Sequence, residues 1–292
     1  MPITIFDNPY FSERLRILNP FHKCINSFDV FCNDLIAINS EKEYFEYYNS
    51  VKERIIQDIR NQPSFQSFVN KLIEKDSCNR FQKQNLFSDN NHGKTFVSID
   101  LKQANFTILH MYDPEIFNGC NTWYDYISGY TDFEHIRTSK YIRQVVLGAC
   151  NPGRQIHFEE IVMKDLAQKL IDRFPTINIY SVNVDEILVE IDHGSDQVTI
   201  SGIHDFIDKS FLSEKVKVDS FILRKLNGIE GYVKVRIGDP DKEVEFKCIN
   251  GEIYHQLLLH YMDMPISEND LVFYHDGKLA KFLNPIPNPW VS

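Results

Sequence analysis

The chain has 292 residues, 43% hydrophobic and 25% charged, enough for one large domain or two small ones around a sizeable core. A net charge of −10 argues against a surface that grips phosphates throughout, so any nucleic-acid contact has to come from local clusters of bases. No window approaches 18 uninterrupted apolar residues, which leaves no candidate for a membrane-spanning helix.

In chain order, residues 1–38 show many aromatics and no strong period, and read as irregular. Ser40-Glu41-Lys42-Glu43 has the form of a capping box and predicts a helix to about residue 61, ahead of Pro63. A second helical stretch is expected over 64–74. A polar segment with a turn at Asn90-Asn91-His92-Gly93 follows, then a strand over 95–101. From Pro114 to about 136 the chain reads as aromatic and loop-rich. A helix is expected over 138–147, broken by Gly148 and Asn151-Pro152-Gly153, and then an amphipathic helix over 156–174 with Phe158, Ile161, Val162, Leu166 and Leu170 among its apolar positions.

A hairpin through Asp185-Glu186 comes next, with a turn at Asp192-His193-Gly194-Ser195. A short helix over 203–212 and strands near 216–223 and 231–237 follow, and then a turn at Asp239-Pro240-Asp241. The last fifty or so residues alternate strand and helix, and Asn284 to Ser292 reads as a tail. The expected fold is α+β, an antiparallel acid-bearing sheet backed by helices, with regions 1–94, 95–237 and 238–292. The N-terminus lacks a signal-peptide pattern, and the six cysteines contain no C-x-x-C pair. Both point to reduced thiols in a cytoplasmic protein.

Two segments carry the chemistry. Phe96-Val97-Ser98-Ile99 runs into Asp100, and Ile177 to Val182 leads toward Asp185-Glu186, after which the apolar run resumes at Ile187-Leu188-Val189. Carboxylates desolvated at such places cost several kcal/mol unless a cation or a cleft compensates. Two sites of this kind read as one shared divalent-metal site, which is the chemistry of nucleotidyl transfer. The bases cluster as well: Arg137, Lys140, Arg143 and Arg154 in one stretch, and Lys209 through Arg236 in another. No H-E-x-x-H or Cys/His cluster suggests zinc, and no G-K-[ST] follows the glycines.

The order of these segments resembles the right-hand palm of nucleic-acid polymerases, and most of all that of reverse transcriptases. SIDLKQANF (98–106) looks like their first palm motif. GACNPGRQIHFEEIVMKDLAQKL looks like their Gly–Pro motif and its helix, and NVDEILVEI like their two-acid hairpin. SEKVKVDSFIL looks like a later segment with a Lys near the phosphates, and EKDSCNRFQKQ (74–84) faintly like the fingertip that holds the triphosphate. The two acids lie 85 residues apart, a short interval as in reverse transcriptases. A second resemblance is to family A DNA polymerases and single-subunit RNA polymerases, which use an Asp-Glu pair after the hairpin. Gln103 and Arg137 to Lys140 fit that group, but the Tyr-Gly expected later in its fingers helix is missing.

The resemblance implies Asp100, Asp185 and Glu186 as catalytic acids. Asp100, Asp185 and the main chain of Leu101 would hold two Mg²⁺ or Mn²⁺ ions. It assigns Asn105, Phe106, Arg80, Lys75 and Lys217 to the nucleotide, and Lys140, Arg143 and Arg154 to the nucleic acid. The implied partners are a primer–template and nucleoside triphosphates, with no membrane and with room for a processivity partner. Asn105 stands where reverse transcriptases carry an aromatic that excludes ribose, so weak discrimination against ribonucleotides is expected. Other readings are a family-A-like polymerase, a template-independent terminal transferase, or a degenerate palm acting as a binding scaffold.

Overall fold

The computed structural model describes residues 10–38, 40–71, 81–191, 196–238, 244–276 and 278–290. The fold is α+β, as expected, and the chain gathers into two compact units that interleave in sequence. One holds Val30–Asn85 and Thr95–Ser220; the other holds Met1–Asp29, Leu86–Lys94 and Phe221–Ser292.

In the first unit, β1 (Thr95–Leu101) is flanked by β3 (Glu186–Ile191), and β2 (Asn178–Val182) lies outside β3. All these pairings are antiparallel, and β4 (Val216–Lys225) enters beside β1 through residues 216–220. Alternation along β1 sends Val97, Ile99 and Leu101 to one face, where they pack with Ile187, Val189 and Ile191 of β3. That face is covered by α9 (Pro152–Arg173) through Met163, Leu166, Ala167 and Leu170, and by α10 (Asp196–Asp208) through Ile203 and Ile207. α9 starts four residues earlier than expected because Pro152 occupies its first turn, where a missing N–H costs nothing. Asn151 precedes it in the left-handed region at φ 54°. Leu166 and Leu170 of the expected stripe are buried and Phe158 and Val162 pack partly buried against the same core, while Glu159, Met163 and Ala167 join the buried face without having been expected there.

A second core in the same unit is wholly helical. α3 (Glu41–Asn61) is capped by Ser40, whose hydroxyl accepts from the Glu43 amide at 3.2 Å, as the capping box predicts. It packs with α4 (Pro63–Asn70), α5 (Ala104–Tyr112) and α8 (Lys140–Gly148) around Val51, Ile55, Ile59, Phe68, Leu109 and Phe117. The stretch read as loops after Pro114 contains a short 3-10 turn and two short helices, α6 (Trp123–Ser128) and α7 (Glu134–Thr138). Asp113 and Thr122 cap two of these elements, accepting from Glu115 and Asp125 amides at 3.0 Å each.

The other unit contains α1 (Tyr10–His22), so the irregular reading is overturned over residues 10–38, and residues 1–9 lie outside the described residues. α2 (Cys24–Ile38) follows directly, with its first residues in this unit. α1 is amphipathic, setting Ile17, Leu18 and Phe21 against Leu258 and Leu259 of α11 (Tyr254–Tyr261). Residues 221–225 of β4 pair with β5 (Tyr232–Arg236), which pairs with β6 (Val244–Lys247). A separate hairpin joins β7 (Val272–His275) and β8 (Lys278–Lys281). The segment read as a tail is instead anchored: Ile286 donates to Gln256 Oε1 at 3.0 Å and accepts from His260 Nε2 at 3.1 Å, while Trp290 packs edge-on to Tyr261 at 5.6 Å. The turns at 192–195 and 239–241 lie outside the described residues. No helix among the described residues is long and apolar enough to cross a membrane, and no disulfide joins the five described cysteines.

His255 of α11 is buried, with Nε2 donating to the Asp270 carbonyl. Burial, reinforced by the Arg14 guanidinium, holds its imidazole down at about 4. A depressed folded-state value means stability present above pH 6.5 that drains as the unfolded chain takes up a proton. The loss accumulates between about pH 6.5 and 4 and amounts to about 3 kcal/mol. The difference in unfolding free energy between the wild type and His255→Gln, followed over that range, should shrink by that amount. Parallel pH profiles for the two proteins would show that His255 is not held neutral.

Candidate functional site

β1 and β3 run antiparallel with Asp100 directly opposite Glu186 and Ser98 opposite Leu188. The ladder closes with the Leu101 amide donating to the Asp185 carbonyl at 2.8 Å. Asp100↔Glu186 is therefore a non-hydrogen-bonded pair, the kind in which facing side chains come closest, about 4.5–5.5 Å between Cβ atoms. Asp185 stands beside them on the hairpin tip with Val184, where Asn183 donates to the Glu186 carbonyl at 2.8 Å to close a two-residue loop. Alternation turns Asp100, Ser98 and Glu186 away from α9 and α10, onto the opposite face of the sheet. Three acids thus meet at one end of two neighbouring strands, with Asp100 and Glu186 on the face that α9 and α10 leave clear and Asp185 opposite Leu101 at the hairpin tip.

Like charges facing each other across strands are destabilising, so something has to offset them. Part of the offset is local: the Ser98 hydroxyl, buried in β1, donates to Glu186 Oε1 at 2.6 Å. On β4, Lys217 is ion-paired with Asp219 at 2.5 Å, which adds a fourth carboxylate and a cation to this unit. Among the described residues no three His, Cys, Asp or Glu side chains converge as a ready-made metal cage. The donor set is all oxygen, and magnesium is commonly held by one or two carboxylates together with water and substrate phosphates rather than by a protein cage. On that chemistry Asp100, Asp185 and the Leu101 carbonyl suit a hard divalent cation.

The remaining sequence-derived residues are spread more widely. Asn105 is half-buried in the first turn of α5, whose N-cap residue Gln103 adopts φ 51°. Phe106 is 6% exposed and belongs to the helical core, its ring 4.5 Å from Phe117 and 5.5 Å from His110. Its aromatic face is thus engaged by other rings. Lys140 is exposed at the start of α8, beneath a Ser139 cap, while Arg143 one turn on is half-buried. Burial pushes the Arg143 guanidinium down, and its Nε finds no acceptor. Arg154 is occupied by the fold: it lies 5.2 Å over the Phe68 ring and donates to the Lys71 carbonyl. Lys75 and Arg80 lie outside the described residues.

Sequence reasoning passed over Glu159, Ser98 and Asp219. Glu159 sits on the buried stripe of α9, four residues before Met163, and a charged residue at that spacing was the available signal. Burial first, and then the negative charge of Asp185, raise its carboxyl to about 7. No protein-family model matches this chain, and neither a curated protein nor a solved structure matches it.

The Ser98–Glu186 contact yields a direct test. A double-mutant cycle with Ser98→Ala and Glu186→Gln should give a coupling energy of about 1–2 kcal/mol in unfolding experiments, as for hydrogen bonds to charged groups. Coupling indistinguishable from additivity, below about 0.5 kcal/mol, would mean that Ser98 does not hold Glu186.

Proposed function

We propose that this chain is a two-metal nucleotidyltransferase, a templated nucleic-acid polymerase of reverse-transcriptase-like type that adds nucleotides to a 3′ end. The observation that carries the proposal is the register that sets Asp100 opposite Glu186 and ties Leu101 to Asp185. It brings the acids of two segments 85 residues apart in sequence to one strand end. A helix-backed antiparallel sheet with acids on its other face is also what the palm resemblance calls for.

In this reading Asp100 and Asp185 hold the cations, with the Leu101 carbonyl as a further oxygen. Two bound Mg²⁺ or Mn²⁺ ions would activate the primer hydroxyl and neutralise the leaving pyrophosphate. Ser98 fixes Glu186 so that its carboxylate stays beside Asp100 rather than swinging into solvent. Lys217 supplies positive charge to the phosphates, its head held by Asp219 until a more negative partner arrives. Asn105, five residues past Asp100, lies near the sugar; its amide is smaller than an aromatic ring and can hydrogen-bond a 2′-hydroxyl. Lys140 and Arg143 on α8 serve the nucleic-acid strand. Arg154, already bound to Lys71 and Phe68, orders the α4–α9 contact and reaches the strand only by giving up those partners.

Primer extension with Mg²⁺ or Mn²⁺, with and without template, and with NTPs against dNTPs, tests the reading. Asp100→Asn and Asp185→Asn should each remove about 4 kcal/mol of transition-state stabilisation, on the order of 10³-fold in rate, with Glu186→Gln milder. The wild type should use NTPs and dNTPs comparably, and Asn105→Tyr should shift preference toward dNTPs by about 5- to 150-fold. Full activity in Asp100→Asn, or no incorporation under any condition, contradicts the proposal. Extension without template would point to a terminal transferase.

A further inference from the structure

In the unit that holds Phe221–Ser292, β5 and its neighbours have one face that α11 does not cover. Alternation along β5 sends Val233 and Val235 toward α11, where they pack with Leu226, Val244 and Leu257. Tyr232, Lys234 and Arg236 therefore point the opposite way. Register fills in the rest of that face, because residues directly opposite on neighbouring strands share a side. Tyr232 stands between Lys225 of β4 and Lys247 of β6, Lys234 between Leu223 and Glu245, and Arg236 beside Phe221. Phe87 and Asp89, from the segment Leu86–Lys94 of the same unit, join it, the Phe87 ring lying 5.7 Å from that of Tyr232.

Charge and rings are both concentrated there. Four cations, Lys225, Lys234, Arg236 and Lys247, meet two acids, Asp89 and Glu245, so the face is positive on a chain whose net charge is −10. Lys225 lies 2.5 Å from Asp89 and Lys247 2.6 Å from Glu245, yet the two lysine side chains are 44% and 36% exposed. Exposed pairs of this kind contribute about 0–1 kcal/mol, so a phosphate can displace either carboxylate at little cost. The ring between them is fixed in advance: half-buried Tyr232 donates its hydroxyl to Asp89 Oδ1 at 3.1 Å. Lys234 is held at the middle of the face, its Nζ 4.5 Å from the centre of the Phe221 ring and 5.9 Å from that of Phe87.

A fixed aromatic ring flanked on both neighbouring strands by displaceable lysines matches one class of partner. An acidic peptide or a lipid headgroup supplies the charge without the ring, and a duplex keeps its base faces stacked on one another. A single strand offers a phosphate and an open π face at every nucleotide. We propose that this face binds single-stranded nucleic acid, with a base stacked on Tyr232 and backbone phosphates at Lys225 and Lys247. The surface draws on neither Asp100 nor Asp185, and it is a contact additional to the primer–template of the polymerase reading.

Fluorescence anisotropy of labelled oligonucleotides of about twelve nucleotides, titrated with the full chain in EDTA, tests this with the proposed cation site kept out of the measurement. The wild type should bind oligo-dT or oligo-U more tightly than a blunt duplex or an oligoglutamate of the same length. Tyr232→Leu should weaken binding by about 5- to 150-fold, the loss of one stacked base, while Tyr232→Phe, which keeps the ring, should restore it. Lys225→Gln and Lys247→Gln alter exposed side chains and serve should Tyr232→Leu fail to fold; each should lower the slope of log affinity against log salt by about 0.7. Any one of four results overturns the proposal: no binding by the wild type, equal or tighter binding of the duplex or the oligoglutamate, wild-type affinity in a folded Tyr232→Leu, or an unchanged salt slope in both lysine variants. None of them bears on Asp100 and Asp185.

Discussion

The register between β1 and β3 fixes the rest of the site. Because side chains alternate along a strand, a slip of one residue would turn Asp100 and Ser98 into the α9 face and expel Val97 and Ile99 from it. Burying a lone carboxylate among Met163, Leu166 and Leu170 costs several kcal/mol, and stranding two aliphatic side chains in water loses about 1.5–3 kcal/mol for each. The apolar face therefore selects the register, and the register delivers the acids. The bond from the Leu101 amide to the Asp185 carbonyl extends that ladder to the hairpin tip.

Once the register is set, electrostatics runs against it. Asp100 faces Glu186, with Asp185 beside them at the hairpin tip, so three acids crowd one strand end. Ser98 relieves Glu186, but one neutral hydroxyl cannot offset that many negative charges. Charge crowding of this type concentrates at places where a ligand is meant to sit, which is why the proposed function turns on a bound cation. The helical core around Phe68 and Phe117 plays a quieter part. It packs α5 and α8 rigidly, so that Asn105 and Arg143 ride on fixed elements rather than on loops.

What could be read directly from the chain was local and periodic. The Ser40 cap, the strand into Asp100, the hairpin and the existence of α9 all declare themselves within a few residues. α1 did not, because Pro20 lies inside it and its apolar positions make sense only once α11 is there to receive them. The short helices after Pro114 hide behind their length, although Thr122 with Asp125 three residues on is a cap that could have revealed α6. The apolar stripe of α9 was legible in Phe158, Val162, Leu166 and Leu170, but Glu159 on its buried face was not, because an acid among apolar residues reads as solvent-facing. The unit that joins residues 1–29, 86–94 and 221–292 has no signature in the linear pattern, because its three pieces meet only through packing. Nor does any local pattern tell an Arg that docks on Phe68, as Arg154 does, from one left free for phosphate.

The central claim is that the acids gathered by the β1–β3 register hold a divalent cation. Diffraction from crystals soaked in Mn²⁺, collected at the manganese absorption edge, tests it most directly. The account predicts an anomalous peak at the strand end, within about 2.0–2.6 Å of carboxylate oxygens of both Asp100 and Asp185. A peak confined to other residues, or none at saturating Mn²⁺, would contradict it.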